Sequence, residues 1–126
     1  MIIDFHTHMF PDKIAARTID FLSKTGGDMN PFTDGTWKGL KESPKQACID
    51  HSIVLPIATR PGQFHTINEF ATHFQEGTLI SFGSLHPESE NYKEELKQIQ
   101  DMGMKGIKLH PDYQDTYFND IRYKRI

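Results

Sequence analysis

The chain has 126 residues, a formal net charge of −3 and a single cysteine, Cys48. This length suits one ordinary domain, and a sequence without a basic block is not typical of a protein that binds a nucleic-acid backbone. The longest apolar runs are no longer than strands, and one cysteine excludes an intrachain disulfide framework. We therefore expect a cytoplasmic protein without a nucleic-acid or membrane partner.

The first half of the chain predicts two strands and two helices. "MIIDFHTH" is typical of a strand that enters a loop at residues 9–11, and "PDKIAARTIDFLSK" predicts a helix that the pair Gly26–Gly27 ends. Residues 28–36 predict a polar loop. Residues 37–50 predict a helix whose regular part starts at Pro44, and "HSIVLPIA" predicts a buried strand.

The second half repeats this alternation. After a loop, "TRPGQ", come a helix over 64–75, a third strand in "GTLISFGSLHP", a helix in "EELKQIQDMGM" and a fourth strand in "KGIKLHP". The last residues, "YQDTYFNDIRYKRI", predict a loop and the first turn of another helix. The order β-α-β-α-β-α-β indicates a parallel sheet with right-handed crossovers.

Two histidines end the first predicted strand. Residues i and i+2 of a strand point to the same side, so His6 and His8 can approach a common point, and Asp4 shares their face. Neutral imidazoles are natural ligands of zinc and similar divalent metals, although a catalytic zinc usually has three protein ligands. The alternative is a pair of polar strand-end residues with ordinary hydrogen bonds.

The ordered motifs "IIDFHTHMFP", "DHSIVLPIAT", "ISFGSLHPE" and "MGMKGIKLHPDYQD" resemble the amidohydrolase superfamily, and its amidohydrolase-2 branch most closely. The resemblance implies that His6 and His8 bind a divalent metal, zinc first, with manganese or iron as alternatives. It also implies a TIM-type (β/α)8 barrel, of which residues 1–126 would be a single domain: the N-terminal half, with about the first four strands. The family's later metal ligands and its catalytic Asp come from strands that this sequence does not contain.

The resemblance suggests further site residues. Some amidohydrolases bridge two metals with a carboxylated lysine at the position of Lys108. The amidohydrolase-2 branch is largely mononuclear, and there a lysine would instead pair with a carboxylate or orient a substrate anion. Asp4 could orient an imidazole, Arg60 could hold a substrate carboxylate, and His110 is a candidate for substrate or outer-sphere contact. Each of these side chains could instead be an ordinary polar residue, hydrogen-bonded within the protein or exposed to solvent. His86 is expected to have a structural role.

The implied function is metal-dependent hydrolysis, in which metal-activated water attacks a C–N or C–O bond of a small molecule. Whether this chain is an enzyme by itself stays open, because no catalytic residue can be assigned in it. The alternatives are a non-catalytic or metal-binding half-barrel module that oligomerises, a decarboxylase, and a relative of the TatD-type nucleases. An incomplete barrel exposes strand edges, so we expect a homo-oligomer or pairing with a missing C-terminal half.

Overall fold

The structure, a computed structural model, describes residues 1–25, 27 and 29–126. In these residues the chain forms five short strands and five α-helices. The strands are β1 (Ile3–Thr7), β2 (His51–Val54), β3 (Leu79–Ser81), β4 (Gly83–Ser84) and β5 (Ile107–Lys108). The helices are α1 (Asp12–Thr25), α2 (Trp37–Gln46), α3 (Phe64–His73), α4 (Tyr92–Asp101) and α5 (Ile121–Lys124), with a 3₁₀ turn over Pro61–Gln63 before α3. None of the described helices has the length and apolar character needed to cross a membrane.

The strands form two small parallel sheets, one in the order β1-β2-β3 and one of β4 and β5. The α/β class is therefore as expected, but the prediction of the first four strands of a TIM-type barrel is wrong. Within the described residues there is neither a four-stranded half-barrel nor a closed barrel. Hydrogen bonding between strands is divided between two sheets, whereas a barrel segment needs one continuous ladder.

The break falls inside the third predicted strand, which is interrupted at Phe82 between β3 and β4. Phe82 packs on Gly106, where an added Cβ would lie 2.5 Å from a carbon of the phenyl ring. Gly83 packs as closely on Ile99, at 2.7 Å from an added Cβ. Both glycines thus admit a close approach that a side chain would block, and the chain leaves the first sheet at this point.

The predicted helices agree better with the structure, with one correction. The helices expected near 11–24, 64–75 and 94–104 are confirmed as α1, α3 and α4. Helix α2 begins at Trp37 and not at Pro44, because the Thr36 hydroxyl accepts a hydrogen bond from the Gly39 amide and caps the helix there. Pro44 lies inside its last turns. The expected helix end at Gly26 and the first residue of the expected loop, Asp28, lie outside the described residues.

The contacts divide the chain into two compact units. Unit 1 consists of Met1–Val54 and Glu76–Leu79. Its strands β1 and β2 are parallel, and the Ser52 amide donates to the Thr78 carbonyl at 2.9 Å. The register of β1 on β2 shifts between Asp4 and Thr7, so β1 carries one more residue there than β2. We call this shift, a β-bulge or a similar irregularity, the β1 bulge. A β-bulge bends a strand and changes the direction of its side chains.

Unit 2 consists of Leu55–Gln75 and Ile80–Ile126. Its apolar core contains five buried residues from α3, α4 and the segments next to β4 and β5: Phe64, Ala71, Leu85, Ile99 and Met104. Side chains of α4 and of the strand segment around β5 pack against this cluster. The prediction that residues 1–126 form a single domain stays a prediction.

Candidate metal site and a buried polar network

The two histidines of the first predicted strand lie side by side in unit 1. His6 is in β1 and exposed, and His8 follows the strand and is half-buried. Their ring centroids are 5.0 Å apart, with the ring planes at 64°. Two imidazoles on one tetrahedral zinc, with Zn–N bonds of about 2.0–2.1 Å, have centroids roughly 5 Å apart. The ring separation therefore fits a shared ion, and it also fits an ordinary edge-to-face contact.

Asp4 contacts the same segment through the backbone. Its Oδ1 accepts a hydrogen bond of 3.1 Å from the His6 amide, at the point where β1 leaves its register with β2. Such a local bond offers the backbone an alternative to the strand ladder at this point. The bond uses one of the two carboxylate oxygens. The predicted role of Asp4 in orienting an imidazole remains a prediction.

A metal site needs more donors than this pair. In the part of the chain that the structure describes, no group of three or more His, Cys, Asp or Glu side chains is arranged to hold a metal ion. His6 and His8 therefore offer two imidazole donors, and their role as metal ligands remains a prediction. Histidine pairs bind zinc firmly only when further ligands complete the coordination.

The other predicted site residues lie in unit 2. Lys108 ends β5, and its carbonyl accepts a bond of 2.9 Å from the Ser84 hydroxyl. His110 stacks on Tyr113, with 4.2 Å between ring centroids and 11° between planes. Arg60 is exposed, and its amide donates to Oε1 of Gln63 at 3.0 Å. The metal-bridging role of Lys108 and the substrate roles of Arg60 and His110 remain predictions.

A buried glutamine holds the backbone next to His110. The Gln114 amide nitrogen donates to the carbonyls of Ala58 and Leu85 at 2.8 and 2.9 Å. Its oxygen accepts bonds from the His110 amide at 3.0 Å and from the Tyr123 hydroxyl at 2.7 Å. All the hydrogen-bonding groups of this side chain are used, as burial requires. Gln114 therefore joins segments that follow β2, β4 and β5 to helix α5.

A second buried amide, Asn68 of α3, fixes β4. Its nitrogen donates to the carbonyls of Phe64 and Ser84, and its oxygen accepts from the Ser84 amide, each at 2.8 Å. The Ser84 hydroxyl in turn accepts from the Ala58 amide and donates to the Lys108 carbonyl, each at 2.9 Å. Asn68, Ser84 and Gln114 thus form a buried polar network near the carboxyl ends of β4 and β5.

Sequence reasoning missed this network. A signal existed for Asn68, which lies at helical spacing from the buried Phe64 and Ala71 and is therefore a polar residue on an apolar helix face. No comparable pattern indicates Gln114, because it lies in a loop and its partners come from distant segments.

His86 is buried next to this network, as the structural role expected for it requires. Its Nδ1 accepts a hydrogen bond of 3.2 Å from the Glu88 amide. Burial lowers the pKa of His86 below the ordinary value of 6.5, and the positive charge of Arg122 adds to this, while the carboxylates of Glu88 and Glu95 oppose it. His86 is therefore neutral at pH 7.

Comparisons of the chain with protein-family models, with curated proteins and with solved structures found no match. The resemblance to the amidohydrolase superfamily thus rests on the sequence motifs alone. The metal ligands and the reaction that it implies are proposals.

Proposed function

We propose that this chain contributes the first two metal ligands of a metal-dependent hydrolase of the amidohydrolase type. His6 and His8 would hold a divalent ion, zinc in the first place and manganese or iron as alternatives. The substrate would be a small molecule with a hydrolysable C–N or C–O bond. The ion, when bound, lowers the pKa of a coordinated water to near 7 and polarises an oxygen of the substrate.

One observation carries the proposal: the 5.0 Å separation of the His6 and His8 rings at the end of β1. It agrees with the separation of two imidazoles on one ion, and the exposure of His6 leaves the pair accessible to an ion from solvent. The register shift of β1 is a second support, since irregularities of the β-bulge type frequently lie beside active sites and re-aim side chains there.

A second candidate is a metal-binding module without catalysis of its own. It is favoured because, among the described residues, no third His, Cys, Asp or Glu side chain is arranged with the histidine pair to hold an ion. No residue of the chain is assigned as general base in either case. The two functions share the metal and differ in whether water bound to it attacks a substrate.

The proposal also covers the location, the substrate class and the association state of the protein. We place the protein in the cytoplasm, acting on a small molecule and not on a nucleic acid. We also propose that it functions as a homo-oligomer or together with a further polypeptide segment. Large exposed apolar residues on and near β1 support association, because such residues commonly mark interaction surfaces.

The ligand assignment is tested by metal content. Protein prepared without chelators should retain zinc or manganese, measured by elemental mass spectrometry, and the double variant His6→Ala/His8→Ala should lose it. The matched control is His65→Ala/His73→Ala, which removes two histidines of α3 and should keep the metal. Equal metal content in the His6/His8 variant and the wild type would contradict the assignment.

Catalysis is tested separately on the metal-loaded protein. A panel of amides, lactones and carboxylate-bearing substrates should reveal hydrolysis that the His6→Ala/His8→Ala variant lacks. Metal retention without turnover of any substrate would favour the non-catalytic module.

A further inference from the structure

Strand β1 combines an incomplete metal site with an exposed strand edge. Among the described residues no third His, Cys, Asp or Glu is arranged with the histidine pair to hold an ion, and β1 is an edge strand in the order β1-β2-β3. Two apolar side chains of this strand are exposed, Ile3 at 44 % and Phe5 at 60 %. An outer strand with exposed apolar residues is a typical surface for pairing with another strand.

The sequence of β1 is complementary to itself. If two copies of "IDFHT" run antiparallel about Phe5, Asp4 of each copy lies directly opposite His6 of the other. Opposite residues of an antiparallel pair share a face, with Cβ atoms about 4.5–5.5 Å apart. The Asp4 carboxylate of one copy thus lies beside the His6 imidazole of the other copy, with which it would share a metal ion.

The charges are complementary in the same arrangement. Two neutral imidazoles leave the full positive charge of a divalent ion uncompensated, and a carboxylate is a known third ligand of such a pair. Asp4 uses only Oδ1 in its bond to the His6 amide, so its other oxygen can bind the ion. Two histidines and one carboxylate with an open fourth position form a known type of catalytic zinc site.

We propose that two copies of this chain pair antiparallel along β1, and that His6 and His8 of one copy and Asp4 of the other bind each metal ion. This inference rests on the ligand assignment under Proposed function and adds the third ligand and its source. The extra residue between Asp4 and Thr7 disfavours a continuous ladder of backbone hydrogen bonds along this edge. Association should therefore depend on the metal.

The test measures zinc binding and mass together, by native mass spectrometry and sedimentation velocity on the full chain. Zinc should convert the 14.5 kDa chain into a dimer with two ions. Asp4→Asn keeps an acceptor for the His6 amide but is a poor metal ligand, so it should weaken zinc binding roughly 100-fold or more and abolish the dimer. Loss of an outer-sphere partner alone costs about 10–100-fold. Asp12→Asn, an exposed carboxylate in α1, is the matched control and should behave as wild type.

Mixing separates an intermolecular site from an intramolecular one. In the presence of zinc, neither Asp4→Asn by itself nor His6→Ala/His8→Ala by itself should dimerise. An equimolar mixture should form a heterodimer with one ion, because one chain supplies the histidines and the other supplies the carboxylate. If circular dichroism shows Asp4→Asn to be unfolded, Ile3→Lys is measured instead in the dimerisation assay. This variant keeps every metal donor and should weaken the zinc-linked dimer, and an unchanged dimer would overturn pairing along β1.

The outcomes distinguish this inference from the proposed function. A monomer that binds one zinc through His6 and His8, with no effect of Asp4→Asn, would overturn the paired site and leave the proposed function standing. A zinc-linked dimer that Asp4→Asn forms equally well would also overturn it. If the wild type binds no zinc, both the ligand assignment and the paired site are wrong.

Discussion

Replacing Gln114 by leucine should destabilise unit 2 strongly. Leucine is close to glutamine in size but makes none of its four hydrogen bonds, which measure 2.7–3.0 Å. The carbonyls of Ala58 and Leu85 lose their donors, and the His110 amide and Tyr123 hydroxyl lose their acceptor. Each buried group left without a partner costs about 1–3 kcal/mol.

Those costs do not add fully, because the loop can shift and water can reach some of the groups. We therefore expect the free energy of unfolding to fall by about 3–5 kcal/mol, less than the sum over four groups. A domain of this size is typically stable by about 5–15 kcal/mol, so the loss is a large part of the total.

The assay is urea unfolding followed by circular dichroism, with hydrogen exchange of the His110 amide as a local probe. The midpoint should move to lower urea, and the His110 amide should exchange faster because it loses its acceptor. Gln100→Leu makes the same substitution at an exposed position of α4 and should change stability by less than about 0.5 kcal/mol. A loss below about 1 kcal/mol for Gln114→Leu would refute the assigned hydrogen bonds.

Two further predictions concern unit 2. The folded state lowers the pKa of His86 below 6.5, so stability should be full above that pH and fall as the pH drops toward the folded-state pKa. His86→Asn keeps an acceptor for the Glu88 amide without titrating, so its urea midpoint should fall less between pH 7 and 5; equal falls would contradict the assignment. Gly106→Ala should cost about 1–3 kcal/mol in urea unfolding, because its Cβ meets the Phe82 ring. Gly62→Ala, with no atom within 4 Å of the added Cβ, is the control, and equal costs would argue against that contact.

Much of the secondary structure could be predicted from the sequence, because the signals for helices are local. The local signals in residues 11–24, 64–75 and 94–104 predicted helices that the structure contains as α1, α3 and α4. The start of α2 was predicted wrongly from Pro44. The sequence suggested a helix start at this proline, while the Thr36 cap starts α2 earlier.

The pairing of strands could not be predicted in the same way. An apolar run such as "GTLISFGSLHP" is compatible with one strand or two, and the close approaches of Phe82 to Gly106 and of Gly83 to Ile99 accompany its division. These contacts join residues far apart in the sequence, so no local pattern contains them. The expected barrel segment failed for this reason, although the α/β class was right.

The candidate site also has some features that the sequence determines and others that only the fold determines. The sequence by itself determined that two imidazoles lie two positions apart at the end of a strand, since the period of a strand is a local property. Only the tertiary structure decided that β1 bulges between Asp4 and Thr7, and that Gln114 is buried with four partners. A buried polar side chain is stable only where separate segments bring its partners to it, and that meeting of segments is a property of the folded chain.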